Sequence, residues 1–200
     1  MKKIASKLFL VMLAMTPFLF TSCDEDEEIA YTLEGTWEGK MYTTSTWDNY
    51  TYAISQTVID FDKDPYRYAK GNGHWVDYYS NAPWDYVANH ITWSVRDKVI
   101  EIHLIEENYT FFVEDYSLNS GMFKGRIYDG DSYIDFTLRH TSSPYWDNYR
   151  WYDEDYYYDY YYNRYRSNNI SFDGNESTRR SMKVVGAPHR NFVPVEVTEK

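Results

Sequence analysis

Five histidines, one cysteine and 31 acidic side chains are the residues of this 200-residue chain that could do chemistry. The histidines fall at 74, 90, 103, 140 and 189, and no two stand at the i, i+2 or i+4 spacing by which one strand or helix presents a metal pair. Asp60-Phe61-Asp62-Lys63-Asp64 opens like a calcium loop. Pro65, however, stands where that loop turns on glycine, and Gly71 where it needs a bidentate glutamate, so a strand-end turn is the expectation. Asp129, Asp131 and Asp135 surround an expected hairpin tip and offer only a weak, surface kind of calcium site. No nucleophile elbow, phosphate loop or dinucleotide fingerprint occurs, and so many acids single out no carboxylate pair for glycoside hydrolysis. The expectation is no catalytic residue, no metal and no cofactor. Aromatic side chains suit recognition better. Trp146, Trp151, Tyr156, Tyr158, Tyr160 and Tyr162 crowd one segment, and such rings give rigid amphipathic contact area on which a sugar or a protein partner can stack.

The elements that must carry these residues begin with a leader. Lys2, Lys3 and Lys7 precede an apolar run from Leu8 to Phe20, which ends in Thr21-Ser22 before Cys23. That is the layout of a secretory signal over 1–22, and its 13-residue apolar stretch is short against the roughly 20 residues of a stable membrane helix. A cysteine at the cut resembles the lipobox of bacterial lipoproteins, with Phe20 where leucine is usual. The resemblance implies acylation of Cys23 and a membrane partner held through that lipid. A plain secretory signal with a free thiol is the alternative. With the three leader lysines gone, 17 basic residues face 31 acidic ones, a net charge of −14. That charge argues against a nucleic-acid partner. Asp24, Glu25, Asp26, Glu27 and Glu28 follow at once, and read physically as a solvated, self-repelling spacer over 23–30. The run also resembles the surface-export signal of Bacteroidota lipoproteins, which implies an outer-membrane protein facing the cell exterior.

From residue 31 to 141 the pattern is short β-type runs between turn residues. Ile134, Phe136 and Leu138 alternate with Tyr133, Asp135, Thr137 and Arg139, and Ile91, Trp93 and Val95 alternate with His90, Thr92 and Ser94. His90 and His103 thereby fall on polar faces and are expected to face solvent. Eight strands are predicted near 35–44, 50–61, 66–79, 86–95, 98–105, 109–117, 121–129 and 132–140, joined by hairpin turns. One apolar face per strand, buried without leaving exposed edges, predicts an all-β, eight-stranded antiparallel up-and-down barrel. A β-sandwich is the alternative. Gly35-Thr36-Trp37 resembles the Gly-x-Trp opening of lipocalin-like barrels, echoed at Gly121-Met-Phe123. The resemblance implies that Trp37 closes the barrel base as a core residue while the glycine permits close backbone approach. Bulky inward residues (Trp93, Ile91, Phe136, Phe123) predict a filled interior.

Residues 142–166 change character, with 10 tyrosines among the 21 residues from Tyr145 to Tyr165 and no helical or strand period. A solvated low-complexity segment, a strand packed over the barrel mouth and a display surface are the three readings. Residues 167–200 are expected to be mostly disordered, apart from a short strand near 182–186 or 191–198. The expectation for the whole is a lipid-anchored, surface-exposed, non-enzymatic binding or structural protein that meets a glycan or protein through its rim and tyrosine-rich segment. A carrier of a small apolar ligand in an open barrel is the alternative, and a hydrolase the third.

Overall fold

The computed structural model describes residues 21–47, 49–128, 133–153 and 189–191. Helix α1 (Thr21–Leu33) leads into ten strands: β1 (Gly35–Met41), β2 (Thr44–Trp47), β3 (Tyr50–Lys63), β4 (Lys70–Tyr79), β5 (Tyr86–Arg96), β6 (Val99–Leu104), β7 (Tyr109–Asn119), β8 (Met122–Tyr128), β9 (Tyr133–Thr141) and β10 (His189–Asn191). All pairings are antiparallel, and β3 through β9 run in sequence order around the sheet. β1 closes the ring by pairing with β9 on one side and β3 on the other, from Thr36↔Thr141 to Met41↔Phe136 and from Gly35↔Phe61 to Gly39↔Thr57. The result is a closed eight-stranded barrel. β2 and β10 extend it beyond the ring, β2 along the first residues of β3 and β10 along β2.

The eight predicted strands are the eight of the ring, most of them burying alternate residues, while β3 is buried on both faces from Thr57 to Phe61. Ile134, Phe136 and Leu138 are buried between exposed neighbours, and Ile100, Ile102 and Leu104 between exposed or partly buried ones. The single strand expected over 35–44 is instead β1, a break at Tyr42-Thr43, and β2. The register against β3 slips by one residue across that break, from Gly39↔Thr57 to Thr44↔Ala53, while β3 itself bulges between Ile54 and Gln56. Such bulges bend a strand at a barrel rim. The inside is filled. Trp37, Phe61, Trp75, Trp93, Phe111 and Phe123 are each at most 3% exposed, edge-to-face contacts linking Trp37 to Phe123 and Trp75 to Phe111.

Gly35 and Trp37 lie at the start of β1. Gly35 has φ +114°, a left-handed value that penalises a side chain, and a Cβ there would lie 2.6 Å from His140 Nε2. Trp37 is fully buried at the base, and its indole N–H donates to the Leu33 carbonyl at the end of α1 (2.7 Å).

The acidic run is not the solvated spacer expected over 23–30. It is helical, continuous through Leu33, and its barrel-facing side carries Asp26, Ile29, Ala30 and Leu33 at i, i+3, i+4 and i+7. Ala30 and Leu33 enter the core. Asp26, 8% exposed, accepts the backbone N–H groups of Asp97 (3.0 Å) and Lys98 (2.9 Å) with its two carboxylate oxygens. Both turn residues have positive φ, as a two-residue hairpin turn requires, and that geometry aims their N–H groups outward together. Lys98 Nζ in turn meets Glu25 (2.9 Å), while Glu27 and Glu28 stay exposed. The repulsion within the run is therefore relieved by a specific acceptor role for one carboxylate. Among the described residues, no helix is long and apolar enough to cross a membrane.

Candidate functional site

Beyond β9 the chain turns back across the outside of the barrel. Residues 145–152, with a short 3-10 turn at Trp146–Asn148, lie as a strap over the outer faces of β4 and β5. Backbone N–H groups tie it down: Tyr152 to the Ala88 carbonyl (2.7 Å) and Arg150 to the Tyr86 hydroxyl (2.9 Å). Tyr149 and Tyr78 share a hydroxyl–hydroxyl bond of 2.5 Å, and burial, then this bond, raises the Tyr78 pKa. Tyr152 is buried in an apolar cluster with Trp47, Ile54, Tyr79, Trp84 and Val87. The first part of the tyrosine-rich segment is thus docked.

Beneath the strap runs a polar row that no local sequence pattern announces. Register places Thr36 opposite Asp60, Asp60 opposite His74, and His74 opposite His90, all pointing outward across β1, β3, β4 and β5. The Thr36 hydroxyl donates to Asp60 Oδ1 (2.6 Å), and His74 Nδ1 stands 3.4 Å from Asp60 Oδ2. Glu106 accepts from the His90 backbone N–H (2.8 Å) and also bonds its ring. Gly73 helps set this spacing, since a Cβ there would fall 1.8 Å from the Asp60 carbonyl, so β3 and β4 approach too closely for any side chain at that position. Trp146 stacks on His74 with centroids 4.5 Å apart and planes 21° apart, and Trp151 covers both His74 (5.1 Å) and His90 (3.9 Å).

This changes three expectations. His90 is on the outer face as alternation requires, yet lies under Trp151 rather than free in solvent. His103 also faces outward but is partly buried, bonded to Thr110 Oγ1 (2.8 Å). Asp60 and Asp62 lie within β3, not in a strand-end turn, because the hairpin that follows turns only after Lys63. Trp146 and Trp151, expected as binding residues, are brought together, each half-buried with part of its ring exposed, beside Tyr145, which is 69% exposed. Tyr156, Tyr158, Tyr160 and Tyr162 lie outside the described residues, as do Asp129, Asp131 and the leader before Thr21. Cys23 falls in the first turn of α1.

A second cluster fills the mouth, the end opposite α1. β10 carries Arg190 into it, where the guanidinium donates to Asp77 Oδ2 (2.5 Å), Asn89 Oδ1 (2.5 Å), Glu107 and the Val87 carbonyl (3.3 Å). Asp77 also accepts from the Thr57 hydroxyl (2.6 Å). Burial works against the charge on Arg190, but Glu107 and Asp77 outweigh it and its pKa stands above the ordinary value. This strand, His189–Asn191, lies after the first of the two tail positions expected to form one and meets the second only at Asn191.

No known protein family matches this chain, and no curated protein matches it. The chain is similar to a solved structure of a redesigned β-barrel. That match has 13% identity and a TM-score of 0.36, over 57% of this chain and 96% of that one.

Proposed function

We propose that the protein is a lipid-anchored, non-enzymatic binding protein of the outer membrane, facing the cell exterior, that recognises a glycan or protein partner with the outer face of its barrel. The observation that carries this reading is the position of Trp146 and Trp151. Both are clamped on histidine rings outside a barrel whose interior is already occupied by side chains, so stacking surface is offered on the strap. Rings held in place lose little entropy on binding, and their partners can be flat and polar. A filled interior removes the basis for an open-cup carrier.

The anchor is supported by where Cys23 falls. It stands three positions before Asp26, about 4.5 Å of helix rise, so an acyl group there would hold the α1 end of the barrel at the bilayer and leave the mouth pointing away. Cys23→Ala should abolish incorporation of a labelled fatty acid and move the protein out of the membrane fraction. Unchanged fractionation would overturn the anchor.

Recognition is tested by screening the unacylated full chain against glycans and outer-membrane proteins. The Trp146→Ala/Trp151→Ala double variant should bind its best partner at least about tenfold more weakly, a loss of about 1.4 kcal/mol, with the circular dichroism of the barrel preserved. Equal binding by the variant, or no partner at all, sinks the reading.

A further inference from the structure

We propose that Asp60, Asp62 and His74 form a site for one divalent transition-metal ion of the zinc class, on the outer face of the barrel beneath Trp146. One donor atom from each of the three residues lies within 4.8 Å of the others. Zinc bound by nitrogen and oxygen at 2.0–2.2 Å places its ligand atoms roughly 3.4 Å apart, so a small rotation of the exposed Asp62 side chain closes the set. The site is assembled by strand register. Asp60 and Asp62 share one face of β3, and His74 stands directly opposite Asp60 on β4.

The donors are held by groups that are not donors themselves, the arrangement that orients metal ligands. The Thr36 hydroxyl occupies Asp60 Oδ1 and leaves Oδ2 turned toward His74. The Trp146 and Trp151 indoles both stack on the His74 ring and limit its rotation. Asp62, by contrast, has no hydrogen-bond partner among the described residues. Lys63, its neighbour in the chain, is engaged with Glu34 (3.5 Å) and lies over the Tyr31 ring. The donor oxygens of Asp60 and Asp62 are thus kept within 4.8 Å of each other, and a dication answers the repulsion between them. One imidazole with two carboxylates favours zinc-like ions over calcium or magnesium, which take all-oxygen sets. Three protein donors leave a fourth position open to water or to a ligand resting on the strap.

The Asp62 side chain is exposed, so its replacement should leave the metal-free fold intact. The full chain, stripped with a chelator, should take up one equivalent of Zn2+ in calorimetry and melt at a higher temperature when loaded. Asp62→Asn should melt no lower than the parent without metal and lose the zinc response, with affinity down at least tenfold. His74→Gln should lose it too, while His103→Gln, on β6 and outside the cluster, should keep it. A structural ion pair alone predicts no saturable uptake. That result, equal affinity in the Asp62→Asn chain, or calcium binding as tightly as zinc, overturns the site.

Discussion

Arg190→Met should lower the stability of the folded chain by about 3–5 kcal/mol, the cost of leaving a buried charge without its partner. Arg190 and Asp77 side chains are each 1% exposed and that of Glu107 is 9% exposed, so both carboxylates stay in the mouth once the guanidinium is gone. The variant also removes the side chain that fastens β10, whose three residue pairs with β2 are too few to hold a strand alone. Urea denaturation followed by tryptophan fluorescence measures the loss. Adding Asp77→Leu should recover part of the loss, since a matched apolar replacement spares the buried charge. A deficit under about 1 kcal/mol, or no recovery in the double variant, would mean that the mouth stays wet without Arg190.

Trp37→Ala should cost a similar amount, about 3–5 kcal/mol, the range for emptying a large buried aromatic site. Its indole has edge-to-face neighbours in Phe123 (5.9 Å) and His140 (5.0 Å), and its N–H holds the final carbonyl of α1. Loss of the ring removes contacts from the barrel base, and loss of the N–H frees the helix end. Trp37→Phe separates these. It keeps much of the volume and drops the hydrogen bond, so its cost should fall near 1–2 kcal/mol above any packing change. Hydrogen exchange in α1 should then accelerate in both variants. If α1 exchanges as slowly as in the parent, the Trp37–Leu33 bond does not hold the helix.

The barrel was legible in the amino-acid sequence because a closed sheet buries every second side chain, and that two-residue period is local. Ile134, Phe136 and Leu138 declare their strand without reference to any other. So does the inward set that fills the interior. The α1 face was legible in principle, since Asp26, Ile29, Ala30 and Leu33 have helical spacing, but five adjacent acids outweigh that pattern until the acceptor role of Asp26 is known. Trp146 and Trp151 were recognisable by type and crowding, not by what they rest on.

What the sequence determined by itself was eight β-type strands with an apolar face to bury, the bulk of the residues on that face, the opening Gly35-x-Trp37 and the crowding of aromatics behind the last strand. Closure of the ring was settled by the pairing of β1 with both β9 and β3. The tertiary structure alone decided which distant residues meet. Asp60 faces His74 through the β3–β4 register, His90 is roofed by Trp151, and Arg190 reaches Asp77 across 113 positions. Period-two burial says which way a side chain points, but not which residue of another strand stands opposite it. That register is set by turns, bulges and barrel closure acting together. Both charged clusters of this protein depend on it.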